Sequence, residues 1–173
     1  SALDGEGHVI IQADISIQED IERLVSESPL LNGCVNNAGI PKISTVGFIN
    51  RDSIEEILNI NTIGPILLTS LLLKKRKLQK QSSIVFISSI SGVVVSNTGE
   101  TQYSTSKGAI SGFVKGAALE LARQKTRVNS ICPALVPTEI LELSNSFFSE
   151  EQLKDKMYEK YPLGRVGTPE DIA

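Results

Sequence analysis

Residues 83–107 read SIVFISSISGVVVSNTGETQYSTSK, and this stretch decides the fold. It begins with SIVFIS, a β-branched and aromatic run that predicts a buried strand. It ends in the first turn of QYSTSKGAISGFVKGAALELARQ, which predicts a long helix. A continuously apolar strand that leads to a helix, with no tight hairpin between them, is typical of a parallel sheet.

The same alternation of strands and helices continues on both sides of this stretch. Before it, HVIIQA and LLNGCV predict strands, while helices are expected over residues 17–27 and from about Asp52 to the KKRK run at residues 74–77. After it, RVNSICP predicts another strand. The pattern predicts an α/β fold with a parallel sheet that helices cover on both faces, and one domain over residues 1–173.

The composition argues against several classes of partner. The chain has 173 residues, of which 40% are hydrophobic and 21% charged, and its formal net charge is −3, so it offers no basic field for nucleic acid. The longest apolar run, ILLTSLLL, is too short to span a bilayer and no signal pattern is present, so we expect no membrane partner and a cytoplasmic location. Cys34, Cys132 and the single histidine, His8, lack metal-ligand spacing, so no metal site is predicted.

One predicted helix contains residues that helices usually avoid. Residues 59–65 read NINTIGP, inside an apolar pattern that otherwise predicts one long helix. Pro65 has no N–H and cannot donate the helical hydrogen bond to the carbonyl of Asn61, while Gly64 loosens the same turn. We therefore expect a kink here, with the Asn61 carbonyl free to accept another hydrogen bond.

Tyr103 and Lys107 are the residues whose spacing suggests catalysis. They are four apart near the start of a helix, so their side chains project from the same face. A cation one turn away favours the phenolate and would bring the tyrosine pKa from about 10 towards neutral pH. A surface tyrosine that packs on a lysine stem has the same spacing, so the pair is informative only together with its surroundings.

Three further features lie where predicted strands end. NNAG at residues 36–39 follows LLNGCV, Ser89 follows SIVFIS, and a PxxxxT pattern runs from Pro133 to Thr138 after RVNSI. Parallel α/β sheets bind ligands at the carboxyl ends of their strands, so these features predict one ligand site.

With Asp14, Asn61 and the closing PLGRVGTPEDIA, these features resemble the short-chain dehydrogenase/reductase family, in the branch that includes 3-oxoacyl-acyl-carrier-protein reductases. The resemblance implies a Rossmann-like, doubly wound sheet and an oxidoreductase that interconverts a carbonyl and a secondary alcohol with NAD or NADP. It also implies a small-molecule substrate and a homodimer or homotetramer.

The resemblance assigns a catalytic role to four residues. Tyr103 would donate or accept the proton at the substrate oxygen, and Ser89, favoured over Ser88 and Ser91, would orient that oxygen. Lys107 would lower the pKa of Tyr103 and bind the nicotinamide ribose. The backbone carbonyl of Asn61 would hold a water that passes protons towards Lys107.

The resemblance also implies a set of cofactor-binding residues and a substrate lid. Asp14 would meet the adenine, and the nicotinamide end would contact residues of the loop after the last predicted strand. Residues 139–163 would cover the substrate with apolar side chains. The implied cofactor-binding set, besides Tyr103 and Lys107, is Asp14, Asn36, Ala38, Gly39, Pro133, Val136 and Thr138.

The sequence departs from the family pattern in two ways that keep alternatives open. The family begins with a strand, a Gly-rich turn and a helix that are absent here, and its last strand is also absent, so we expect a domain that is incomplete at both ends. The spacing from Ser89 to Tyr103 is one residue longer than the family's usual spacing. A catalytically silent cofactor-binding or scaffold protein, or a truncated remnant, therefore remains an alternative to an enzyme.

Overall fold

A three-stranded parallel sheet forms the centre of the computed structural model, which describes residues 7–137 and 161–173. Strands β1 (Leu31–Asn36), β2 (Leu78–Ile87) and β3 (Arg127–Ile131) lie side by side in that order. Cys34 pairs with Ile84, which pairs in turn with Val128 on the other side. The predicted parallel α/β sheet is therefore confirmed, and each strand ends at the same edge.

The first predicted strand, HVIIQA, does not form among the described residues. Its backbone is irregular, and Val9 and Ile10 are 73% and 91% exposed. An isolated strand cannot satisfy its own backbone groups, and the described sheet places no partner beside this segment. The prediction of a strand here was wrong for this structure.

Four helices pack around the sheet: α1 (Gln18–Glu27), α2 (Arg51–Leu58), α3 (Gly64–Lys74) and α4 (Thr101–Leu121). Two apolar clusters join three of these helices to the rest of the structure. In the first, β2 and β3 pack on α4 through buried side chains that include Phe86 and Ile110. In the second, α1 packs on α3. The buried strand residues come from alternate positions, whereas Val35 on β1 is 65% exposed. The described helices therefore pack on the sheet through the side chains of alternate strand residues.

The predicted helix from Asp52 to the KKRK run is divided by a widened turn. Helix α2 begins at Arg51, earlier than predicted, because Asn50 caps it through reciprocal hydrogen bonds with Ser53. Residues Asn59–Ile63 then form a π-helical turn, in which the N–H of Gly64 bonds to the carbonyl of Asn59, five residues back. The predicted irregularity is confirmed at NINTIGP, and its form is a π-helical turn rather than a simple break.

Pro65 and Gly64 fit this turn for separate reasons. Pro65 lies in the first turn of α3, where a missing N–H has little energetic cost. Gly64 provides space, because a Cβ there would lie 2.3 Å from the carbonyl oxygen of Ile15 and 2.7 Å from its Cγ1. The segment that carries Asp14 and Ile15 therefore rests directly on the widened turn.

The continuous helical segment Arg51–Lys74 is long and apolar enough to cross a membrane by length and composition alone. The core helix of a soluble protein passes the same test, and 44% of the apolar window is buried inside the structure. This segment is accordingly weak evidence for a membrane span. Just after this segment, Lys77 donates hydrogen bonds to the carbonyls of Ser26 and Ser28 at the C-terminal end of α1, so one cation of the basic run makes a structural contact.

Substitution of Gly64 by alanine is expected to destabilise the fold by about 1–3 kcal/mol, because the added methyl must displace the Ile15 backbone. Chemical denaturation monitored by circular dichroism measures the change. Gly47→Ala is the matched control, since a Cβ at Gly47 meets nothing within 4 Å, and its free energy of unfolding should change by less than about 0.5 kcal/mol. Equal stability of the two variants would contradict the contact.

Candidate active site

The candidate site lies where the loops that follow the three strands meet. The loop after β2 is joined to the loop after β3 by a hydrogen bond from the Ile90 N–H to the Pro133 carbonyl, 3.0 Å long. It is joined to the loop after β1 by a bond from the Ser44 N–H to the Gly99 carbonyl, 2.9 Å long. The parallel register thus brings three loops that are distant in sequence to one edge of the sheet.

The side chain of Asn61 connects the π-helical turn to two other elements. Its Oδ1 accepts a hydrogen bond from the Ile40 N–H at 2.8 Å, and its Nδ2 donates to the Ile40 carbonyl at 3.0 Å. The same Nδ2 donates to Ser106 Oγ at 3.0 Å. Asn61 is 2% exposed, so these bonds satisfy a buried amide. The free backbone carbonyl that the sequence predicted for Asn61 stays a prediction.

Lys107 is buried beside Tyr103, as the spacing predicted. It is 5% exposed, its Nζ donates a hydrogen bond to the Ile87 carbonyl at 2.8 Å, and the same atom lies 5.8 Å from the centroid of the Tyr103 ring. Burial disfavours the charged ammonium and lowers the pKa of Lys107 from 10.5 to about 8. The lysine is therefore a buried cation that is close to neutralisation in the physiological range.

The pKa of Tyr103 moves in the opposite direction from the one predicted. Burial of the phenol raises its pKa above 10, a hydrogen bond with Ser89 lowers it, and the negative charge of Glu100 raises it further. Lys107 does not produce the expected decrease, because its ammonium is directed at the Ile87 carbonyl and its own charge is disfavoured by burial. Tyr103 is accordingly protonated at neutral pH in this structure.

The three serines at the end of β2 have different surroundings. Ser88 Oγ donates to the Lys107 carbonyl at 3.1 Å, and Ser91 Oγ donates to Glu100 Oε2 at 2.9 Å. Ser89 Oγ accepts from the Ser91 N–H at 3.1 Å and interacts with the Tyr103 phenol. Of the three, Ser89 has the surroundings that the predicted substrate-orienting role requires, and the role itself stays a prediction.

A groove of about 820 Å³ lies between the segment at residues 10–15, helix α1 and the loop after β1. Its lining includes Asp14, Ala38 and Gly39, which the sequence placed along a cofactor, together with Ile40 and Ile60. A Cβ at Gly39 would lie 3.3 Å from both Asn61 Oδ1 and Lys107 Nζ. Gly39, which lines the groove, therefore packs its backbone closely against Asn61 and Lys107.

The remaining predicted cofactor residues are less closely grouped. Asn36 is buried, with Nδ2 3.4 Å from Thr69 Oγ1, and its Oδ1 has no hydrogen-bond partner in the structure. Pro133 contributes its carbonyl to the Ile90 bond, and Val136 lies beside Gly167. Thr138, and the predicted lid except for residues 161–163, lie outside the described residues. Over residues 7–137 and 161–173, no group of three or more metal-ligating side chains is close enough to hold an ion.

Comparison with known proteins decides the family. The family model described as Enoyl-(Acyl carrier protein) reductase matches residues 2–173. The chain belongs to the short-chain dehydrogenase/reductase family. A crystal structure of a short chain dehydrogenase family protein from Francisella tularensis superposes with a TM-score of 0.82 at 29% identity, covering 94% of this chain and 69% of that one.

Curated members of the short-chain dehydrogenase/reductase family are also similar in sequence. The 3-oxoacyl-(acyl-carrier-protein) reductase FabG of Aquifex aeolicus is 36% identical over 155 residues, which are 90% of this chain and 59% of that protein. The uncharacterized oxidoreductase YmfI of Bacillus subtilis is 33% identical over 175 residues, covering this chain entirely and 69% of that one. The chain thus spans about three fifths of the Aquifex reductase.

Sequence reasoning missed two buried contacts of this short-chain dehydrogenase/reductase site. Ser106 is 0% exposed, and its Oγ donates to the Tyr103 carbonyl at 2.7 Å while it accepts from Asn61. Thr62 Oγ1 donates to the Ser106 carbonyl at 3.0 Å, which ties the π-helical turn to α4. The sequence contained one signal for these contacts, which is the small polar residue Ser106 between Tyr103 and Lys107. It was missed because the other small residues of this helix suggested only close helix packing.

Replacement of Lys107 by methionine is expected to stabilise this short-chain dehydrogenase/reductase at pH 7. Lowering the pKa from 10.5 to about 8 corresponds to about 3 kcal/mol, part of which the lost bond to Ile87 offsets. Because the folded pKa is the lower one, the penalty is complete below pH 8 and is relieved as pH rises towards 10.5. The difference in unfolding free energy between Lys107→Met and wild type should therefore decrease from pH 7 to pH 10.

The matched control is Lys115→Met, which changes an exposed lysine on the same helix. Its unfolding free energy relative to wild type should vary little over the same pH range. Urea denaturation of the three proteins at several pH values provides the comparison. A Lys107→Met protein that is less stable than wild type at pH 7 would show that the ammonium is not the destabilising group inferred here.

Proposed function

We propose that this chain forms the proton-transfer part of an NAD(P)-dependent oxidoreductase that interconverts a carbonyl and a secondary alcohol. The convergence of Tyr103, Ser89 and Lys107 beside the Gly39 groove is the observation that carries the proposal. A cofactor-binding scaffold without turnover would have no chemical need for a phenol, a hydroxyl and a buried ammonium at one point.

Tyr103 acts as the general acid in the proposed reduction. Burial keeps the phenol protonated at neutral pH, so it has a proton to give to a substrate oxygen. Ser89 Oγ accepts the Ser91 N–H, which leaves its own hydrogen for donation to the same oxygen. Two donors aimed at one oxygen would stabilise the negative charge that develops there.

The residues along the groove fit a nicotinamide dinucleotide. The close approach of Asn61 and Lys107 to Gly39 leaves room only for bare backbone, and an extended ligand could follow the groove towards Asp14. Lys107 Nζ donates one hydrogen bond to the Ile87 carbonyl. An ammonium has three N–H groups, so the other two could bind ribose hydroxyls. When bound, the nicotinamide supplies or takes the hydride.

The protein groups also orient the reactants. Asn61 holds the Ile40 backbone and Ser106, which keeps one wall of the groove in register with α4. This fixed geometry lowers the entropy that must be lost in reaching the transition state. The relatives named 3-oxoacyl-(acyl-carrier-protein) reductase make β-keto thioesters the first substrates to test.

A homodimer or homotetramer is proposed as the assembly. A second groove, of about 360 Å³, lies between α3 and α4. Small side chains there, Gly112, Gly116 and Ala117, would permit close approach of a helix from another copy. We further propose that the protein acts in the cytoplasm, on a small-molecule substrate and without a nucleic-acid partner.

Tyr103→Phe should reduce oxidation of NADH and NADPH with β-keto thioesters by at least about a hundredfold, because it removes the proton donor alone. Ser89→Ala should cost about tenfold or more, since it removes one donor to the substrate oxygen. Absorbance of the reduced nicotinamide measures the rates, with ketosteroids, sugars and quinones as further substrates.

Ser83→Ala is the control for Ser89→Ala, because Ser83 lies on β2 before the site. It should retain wild-type turnover, and circular dichroism should show all variants folded. Full activity in Tyr103→Phe would refute the catalytic role. Cofactor binding by the wild-type protein without turnover on any substrate would instead favour the scaffold alternative.

A further inference from the structure

A chain of hydrogen bonds links the start of α4 to the serine of the site. Glu100, the residue before α4, accepts bonds at one oxygen, Oε2, from Ser91 Oγ at 2.9 Å and from Asn97 Nδ2 at 3.0 Å. Ser91 is 6% exposed, and its N–H donates to Ser89 Oγ at 3.1 Å. The carboxylate therefore anchors both ends of the loop between β2 and α4.

We propose that Glu100 is a positioning residue, whose carboxylate holds Ser91 so that Ser89 directs its proton at the reacting oxygen. The proposal rests on the function proposed above. A bond to a charged acceptor is stronger than one between neutral groups, so Glu100 can restrain the Ser91 backbone that bonds Ser89. The loop between Ser89 and Tyr103 is one residue longer than is usual in the family. The bonds to Glu100 hold this longer loop in place.

Few ionisable groups besides Glu100 face Tyr103. The loop at residues 88–99 and the π-helical turn at residues 59–63 contain no ionisable side chain. On α4, the ionisable neighbour is Lys107, whose pKa burial lowers to about 8 and whose positive charge opposes that of Glu100 at neutral pH. Lys42, in the loop after β1, is paired with Glu56, and Cys132 follows β3. The negative charge beside the phenol, together with burial, raises the pKa of Tyr103.

Two substitutions separate the two effects. Glu100→Gln removes the charge but keeps an amide oxygen that can accept from Ser91 Oγ, whereas Glu100→Ala removes both. The control is Glu19→Gln, which changes an exposed acidic residue in the first turn of α1 and lies outside the groove.

The first measurement needs no turnover. Ultraviolet titration of tyrosinate, taken as the difference between each protein and its Tyr103→Phe counterpart, gives the midpoint for Tyr103. Both Glu100 variants should lower this midpoint by about half a pH unit or more, because a like charge has been removed, and Glu19→Gln should not. An unchanged midpoint in Glu100→Gln would overturn the electrostatic role.

The second measurement is turnover with NADH or NADPH and a β-keto thioester. Glu100→Ala should lower kcat about tenfold with KM nearly unchanged, whereas Glu100→Gln should keep kcat within about threefold, because its amide still holds Ser91. Ser91→Ala should lower kcat similarly, and the double variant with Glu100→Ala should be no slower than either single one, since both act through one contact.

The outcomes distinguish the two proposals. If Glu100→Ala turns over like Glu19→Gln, the positioning role is refuted while the oxidoreductase stands. If the wild-type protein shows no turnover with either nicotinamide, the proposed function fails, and the tyrosinate midpoints still decide whether Glu100 governs the charge state of Tyr103.

Discussion

Three hydrogen bonds from the side chain of Asn61 hold the candidate site together. They join the π-helical turn to the Ile40 backbone and to Ser106, so the loop after β1 and helix α4 meet at a single amide. The amide is buried, and each group left without a partner would cost about 1–3 kcal/mol. The widened turn is what allows this residue of a helix to meet two other elements, and it explains why an otherwise regular helix tolerates the irregularity.

The site accommodates a buried charge that the fold itself does not require. Lys107 lies between the Ile87 carbonyl and the Tyr103 ring, and burial favours its neutral form. The apolar cluster in which Phe86 and Ile110 pack between the sheet and α4 offsets this penalty. Stability is thus concentrated in the middle of α4, and chemistry is concentrated in its first two turns. This division is typical of sites where function conflicts with stability.

The parallel sheet and most of the helices could be predicted from the sequence, because continuous apolar strands and helical periodicity are local signals. Asn61, Ser89, Tyr103 and Lys107 were named as site residues from the spacing of Tyr103 and Lys107 and from the family resemblance, and their catalytic roles stay predictions. The sequence could not predict the direction of the Tyr103 pKa shift, which depends on burial and on where the Lys107 ammonium points. The apolar run HVIIQA predicted a strand that did not form, because strand formation depends on pairing with neighbours that are distant in sequence.

The contact between Gly64 and Ile15 has a consequence for how the groove can change shape. Ile15 follows Asp14 in the lining of the groove, and Gly64 follows the turn that carries Asn61. Because the two backbones are in direct contact, the Asp14 segment and the π-helical turn form one packed unit. A ligand that presses the Asp14 segment towards Gly64 must therefore also press on the turn that carries Asn61.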